Sequence, residues 1–182
     1  MYKSLITFLF LCISTVLWSQ EIIHNDSEPK LVSVVHELLF KNTILTKNYA
    51  IDEDTVTNYK IMRYGIFNKA SNYLGVKYRY GQSSEKGFDC SGFVKFVFRN
   101  FGFDLPHSAY YLYKITRHVE STKAQCGDLV FFITRGKGVS HVGIYLGNNQ
   151  FIHSPGRGRT VSIDSLGTNY YKRHLVGFGS VL

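Results

Sequence analysis

The sequence predicts an α+β domain built on an antiparallel sheet. Two observations carry this reading. From Ile61 to Tyr113 apolar residues recur at helical spacing, and after Gly127 the texture changes to short runs separated by Gly, Asn and Pro. Helices that come first and strands that follow, rather than the two alternating, favour antiparallel over parallel pairing. The 182 residues leave room for one ordinary domain and little else. At 45% apolar and 19% charged residues, with Gly 16 and Pro 3, the chain is neither disordered throughout nor collagenous.

The elements follow in order. Met1-Tyr2-Lys3 brings one positive charge, residues 5–18 are an almost unbroken apolar run, and Ser19-Gln20-Glu21 ends it. This predicts a secretory signal peptide over 1–19, hence a secreted or periplasmic protein with no membrane span in the mature chain. Phe10-Leu11 ahead of Cys12 lacks the small residues of a lipidation site. Residues 20–58 read as an N-terminal extension in which Leu31, Val32, Val34, Val35, Leu38 and Leu39 fit one amphipathic helix. The main domain spans 59–182. Ile61, Ile66, Ala70 and Leu74 form a helical stripe closed by Gly75. A loop with Gly81 and Gly87 leads into Asp89-Cys90-Ser91-Gly92, and the apolar residues from Phe93 to Phe98 make a helix ending near Gly102. A weaker helix follows Leu105-Pro106 through Tyr113. Strands are predicted at 129–134, 139–146, 150–154, 160–163 and 175–181.

Lys+Arg 21 against Asp+Glu 13 gives a net charge of +8. The basic residues are scattered, without the clusters or aromatic interleaving of a nucleic-acid binder, so the charge reads as a general bias that names no partner, though it fits an anionic, carboxylate-bearing substrate. Beyond the signal peptide the chain keeps Cys90 and Cys126. In an oxidising compartment these are either one disulfide or separate thiols with separate roles.

Cys90 sits where a loop becomes a helix, a place where free backbone N–H groups and the helix dipole favour a thiolate. Asp89 and Ser91 are good capping residues. The histidines add a partner. Val142, Ile144 and Leu146 alternate with His141, Gly143 and Tyr145, and the next strand places Ile152 opposite Phe151 and His153. A three-residue loop, Gly147-Asn148-Asn149, pairs residue 144 with 152, so the isoleucines share one face and His141 and His153 the other. The two histidines are then diagonal neighbours, roughly 7 Å apart. A Cys at a helix start with two His on one sheet face suits a cysteine hydrolase: Cys90 as nucleophile, His141 as base, His153 orienting His141. No close-spaced ligand pairs are present, so no metal or cofactor is implied.

These residues resemble the NlpC/P60 family of cell-wall peptidases. The matching stretches are Ala70 to Gly75, Tyr78-Arg79-Tyr80-Gly81, Phe88-Asp89-Cys90-Ser91-Gly92-Phe93, Leu105-Pro106, Gly127-Asp128-Leu129-Val130-Phe131-Phe132, Ser140-His141-Val142-Gly143-Ile144-Tyr145-Leu146-Gly147 and Phe151-Ile152-His153. They run in the family's order from about Arg63 onward, and they do not cover the extension. The resemblance implies a papain-like core, with the nucleophile on a helix start packed against a small antiparallel sheet. It implies hydrolysis of the bond between γ-D-glutamyl and the diamino acid of peptidoglycan stem peptides or muropeptides by a Cys90-His141-His153 triad. It also places Tyr80 beside the nucleophile and Asp89 and Ser91 at the substrate's free end. Gln82, His107 and Cys126 depart from the family's usual Gly, Arg and Pro. Alternatives are an amidase cutting between sugar and peptide, a wall-directed toxin, and a non-catalytic wall-binding module. A further possibility is that Cys126 bridges to Cys90 under oxidation and silences it.

Overall fold

The computed structural model describes residues 53–182; the expected signal peptide and the helix expected near residues 31–39 lie outside them. The described elements are α1 (Glu53–Ser71), β1 (Ser83–Ser84), β2 (Gly87–Phe88), α2 (Cys90–Arg99), α3 (Ala109–Ile115), β3 (Arg117–Val119), β4 (Leu129–Phe132), β5 (His141–Gly147), β6 (Gln150–His153), β7 (Ser162–Ser165), α4 (Asn169–His174) and β8 (Leu175–Ser180). Six strands form one antiparallel sheet in the order β3-β8-β4-β5-β6-β7, and β1 and β2 form a separate small hairpin. The α+β class read from the sequence is the class of the structure.

Alternation along the central strands sorts side chains into two cores. Leu129, Phe131, Val142, Ile144 and Ile152 join Ile66, Ala70, Phe93, Val94, Val97 and Leu112 on the helical side. Val130, Phe132, Tyr145 and Phe151 join Leu166, Tyr171 and Phe178 on the other. Both faces of the sheet are therefore covered, and the face carrying the histidines is lined with aromatic rings rather than open to water.

The first helix differs from expectation at its ends. Ile66 and Ala70 are fully buried, but Ile61, within α1, is exposed, and Leu74 is exposed because α1 stops at Ser71 and the chain turns there. Gly75, at φ +84°, supplies the left-handed residue of that turn. Tyr73 meets Phe88 and Phe96 edge-on, and Phe88 meets Phe93 and Phe96, all at centroid distances of 5.1–5.5 Å, which anchors the loop before α2 on the helical core.

The β5–β6 hairpin reaches the predicted register by another route. Ile144 pairs with Ile152 as expected, yet Gly147 pairs with Gln150, so the loop is two residues rather than three. Asn148 and Asn149 both take positive φ (49° and 59°), the conformation of a type I′ turn, which Asn tolerates. A two-residue loop alone would shift the register by one. The bulge between Tyr145 and Gly147 absorbs that residue and keeps both histidines on one face.

Candidate active site

Asp89 builds the start of α2. Its Oδ1 accepts from the backbone N–H of Gly92 at 2.7 Å, and its Oδ2 accepts from that of Gly81 at 2.8 Å. Ser91 Oγ donates to Oδ1 at 3.4 Å, and His107 Nε2 lies 2.8 Å from it. Ser83 Oγ donates to Gly92 O, and Asp89 N to Gln82 O. Asp89 and Ser91, expected at the substrate's end, are thus buried and engaged in holding Cys90's loop. Gln82 needs no glycine backbone, since Gly81 beside it takes the left-handed φ (70°) and residue 82 does not have a positive φ.

The opposite wall comes from the sheet. Ser140 Oγ accepts from the N–H groups of Thr134 and Arg135, both at 2.9 Å, which fastens the β4–β5 loop just before His141. Ser154, wholly buried after His153, donates to Phe88 O at 2.7 Å and ties β6 to the loop that carries Cys90. The Cys90 thiol lies against the backbone N–H groups of Ser91 and Val142, the latter directly after His141. His141 Nε2 is 2.7 Å from His153 Nδ1, with the rings nearly perpendicular. The structure thus brings Cys90, His141 and His153 to one place.

It adds two residues that the linear sequence did not single out. Asp164 Oδ2, on β7, lies 2.9 Å from His153 Nε2, and Tyr171 OH donates to the same oxygen at 2.8 Å. Asp164 is eleven residues from His153 and reaches it only through the β6–β7 pairing, in which Ile163 stands opposite Ile152. An exposed-looking Ser-Ile-Asp-Ser stretch carries no local signal of that contact.

Tyr80 is placed differently from expectation. It is 75% exposed, in the turn formed with Gly81, beyond the bridge that joins Tyr78 to Phe88. Tyr78 is the tyrosine at the site. Burial first, then the charges of Cys90 and Asp89, push its hydroxyl pKa up, while a bond from the Arg135 side chain opposes them.

The electrostatics favour neutral groups. Burial pushes His141 down to about 3, aided by His153, Arg135 and Arg159. Burial also lowers His153, against the opposing pull of Asp164. The Cys90 thiol is pushed up by burial and then by Asp89, which outweigh the N–H groups of Val142 and Ser91. The thiolate expected from the helix start alone is therefore not the favoured resting form; a neutral thiol beside a neutral imidazole is. Cys126 is also a free thiol, raised to about 11 by burial, and no disulfide joins it to Cys90. Among the described residues, no three His, Cys, Asp or Glu side chains converge as metal ligands.

A depressed histidine couples folding to pH. Unfolded, His141 takes up a proton near 6.5, whereas the folded chain does so only near 3. Between these values the unfolded state binds more protons, so stability falls as the pH drops through that window. Urea unfolding is expected to give a stability lower at pH 4.5 than at pH 7 by on the order of 3 kcal/mol. His141→Gln is expected to flatten that slope.

Comparison with known proteins agrees with this architecture. The NlpC/P60 family model matches residues 75–180. The chain is 40% identical over 120 residues to the murein DD-endopeptidase MepH of Escherichia coli, covering 63% of this chain and 44% of that protein. It is also 40% identical over 116 residues to the probable endopeptidase p60 of Listeria monocytogenes, covering 64% of this chain and 23% of that protein. The chain thus spans less than half the length of either relative. A crystal structure of an NlpC/P60 family protein from Bacillus cereus superposes with a TM-score of 0.63 at 31% identity, over 66% of this chain and 40% of that one. With this match over more than half its length and the fold described above, the chain belongs to the NlpC/P60 family.

Proposed function

We propose that the chain is a cysteine endopeptidase acting outside the cytoplasm on peptidoglycan stem peptides, at the bond between γ-D-glutamyl and the diamino acid. The observation that carries this is the contact set at the start of β5, where the Cys90 thiol meets the backbone beside His141 and His141 is held by His153. The similarity to murein DD-endopeptidase MepH points to the same class of substrate. In this reading His141 takes the proton of Cys90 as the sulfur attacks the acyl carbon. The oxyanion is met by N–H groups at the start of α2, with the Tyr78 hydroxyl, rather than that of Tyr80, at its side. His141 returns the proton to the leaving amine and then activates water for release of the acyl group.

The charges around the cleft suggest a direction for the substrate. Asp89, on the α2 side, is buried and committed to the cap and to His107, so it offers the substrate no free carboxylate. On the other side of His141 a cavity of about 460 Å³ is lined by Arg135, Arg159, Thr168 and Tyr170. Its one carboxylate, Asp164, is already engaged by His153 and Tyr171. A leaving group that bears a carboxylate fits that cationic end. Replacing both Arg135 and Arg159 by Gln is expected to lower kcat/KM roughly tenfold or more. The loss is expected to be smaller on a substrate whose diamino-acid carboxylate is amidated, where only the ties of Arg135 to Tyr78 and of Arg159 to Asp164 are broken.

The test of the function is mass spectrometry of a soluble L-Ala-γ-D-Glu-diamino acid peptide incubated with the protein under reducing conditions. Release of L-Ala-γ-D-Glu is expected. An intact peptide, together with release of whole stem peptides from a muramoyl substrate, would instead indicate an amidase.

A further inference from the structure

His153 is wholly buried, and its two ring nitrogens face groups of different character, with Tyr171 OH also 3.4 Å from Nε2, farther away than the carboxylate. Its Nδ1 faces His141 Nε2 at 2.7 Å and its Nε2 faces Asp164 Oδ2 at 2.9 Å. The hydrogen bond from His153 and that from Tyr171 hold the Asp164 carboxyl well below the usual carboxylate range. Asp164 is therefore ionised at neutral pH and can only accept. Tyr171 OH, 2.8 Å from the same oxygen, donates to it, and Arg159 Nη2 stands 3.4 Å away. A neutral imidazole has one N–H, and opposite a carboxylate that proton must sit on Nε2 of His153.

The consequence passes along the chain of rings. With Nε2 protonated, His153 Nδ1 carries a lone pair and accepts, so His141 must donate from its own Nε2. His141 Nδ1 is then left unprotonated, and that is the nitrogen able to take a proton from Cys90. In the reverse arrangement His153 would donate from Nδ1, and His141 would carry its proton on Nδ1, where it could not act as a base. The two imidazoles alone have no means of choosing between these arrangements, because each ring can donate or accept on either nitrogen.

We propose that Asp164, held in place by Tyr171, is a positioning residue that acts through His153 to select the Nε2–H tautomer of His141. This rests on the reading of His141 as the base toward Cys90. When His141 becomes an imidazolium, its Nε2–H still donates to His153 Nδ1, and the carboxylate behind His153 supplies the opposite charge. The packing permits no easy alternative. Phe151 lies 4.6 Å from the His153 ring centroid and Tyr171 lies 5.7 Å away, so the ring cannot turn to find another acceptor without displacing aromatic neighbours.

The experiment is ¹⁵N imidazole NMR of the wild-type protein and of Asp164→Asn, joined to steady-state kinetics. An amide at position 164 can accept or donate with equal ease, so it no longer dictates the tautomer. In the wild type, Nε2–H is expected for both His141 and His153. In Asp164→Asn a mixture is expected, with kcat lower by roughly 10- to 100-fold and KM little changed. Alkylation of Cys90 by iodoacetamide at pH 7 should slow in parallel, and this needs no substrate. A wild-type spectrum showing Nδ1–H on His153 would overturn the proposal, as would an Asp164→Asn protein with unchanged tautomers and kcat. Should Asp164→Asn fail to fold, the wild-type spectrum and Tyr171→Phe, which removes one donor to the carboxylate, decide the same question. If the wild type cleaves no stem peptide, the proposed function fails while the tautomers still report on Asp164.

Discussion

Cys90→Ala is expected to slow release of L-Ala-γ-D-Glu by at least about 10³-fold, with the fold intact. The size of the effect follows from the role proposed for the sulfur. Without it no acyl-enzyme forms, and only the N–H groups at the start of α2 and substrate binding remain to assist water. Little structural cost is expected, because Asp89 rather than the thiol caps α2, through its bonds to the N–H groups of Gly92 and Gly81. Product release measured by mass spectrometry, with thermal unfolding alongside, separates the two effects. A Cys90→Ala protein that still cleaved at more than a tenth of the wild-type rate would remove Cys90 from the mechanism. The pH dependence of Cys90 alkylation in the wild type is a companion measurement. Since burial and Asp89 raise the thiol, reactivity is expected to keep climbing into the alkaline range rather than reach a plateau near neutrality.

Gly92→Ala is expected to damage stability and activity together. A Cβ on residue 92 would overlap the Gln82 carbonyl oxygen and stand 2.8 Å from His107 Nε2 and 3.0 Å from Asp89 Oδ1. The first of these is backbone, pinned by the bond from Asp89 N, so it has little freedom to retreat. The loop before α2 must shift, and with it the cap on Asp89 and the aim of Cys90. The expected loss is about 2–3 kcal/mol, or on the order of 10 °C in Tm. Displacing the sulfur by as little as about 1 Å is expected to lower turnover about a hundredfold. Gly138→Ala is the control, since nothing lies within 4 Å of a Cβ there and its φ is not positive, so no change is expected. A Gly92→Ala protein with wild-type Tm and turnover would mean that the packing around the Asp89 cap is looser than these contacts require.

Much of this arrangement is local and so legible in the chain. Asp89-Cys90-Ser91-Gly92 ahead of an apolar run specifies a capped helix start, because the capping side chain and the amides it satisfies are close in sequence. The alternation around His141 and His153 specifies which residues share a face, because a strand has a period of two. It led to the right register even though the turn differs, since a bulge removed the residue that the shorter loop had displaced. The order of helices before strands was enough for the fold class.

What the tertiary structure alone decided are properties that depend on distant segments meeting. Tyr78, not Tyr80, lies at the site because the chain turns at Tyr80-Gly81, a choice that two tyrosines two residues apart do not disclose. Asp164 meets His153 only because β7 pairs with β6, and Tyr171 reaches the same oxygen from α4, which lies between β7 and β8 in the chain. The neutral state of Cys90 and His141 is likewise collective. A helix start alone favours a thiolate, but the closed cores on both faces of the sheet and the Asp89 carboxylate reverse that preference. Residue types and their local spacing determined which groups could be expected to take part; the packing of separate elements determined their charge, their tautomers and their partners, because desolvation and hydrogen bonding act across space rather than along the chain.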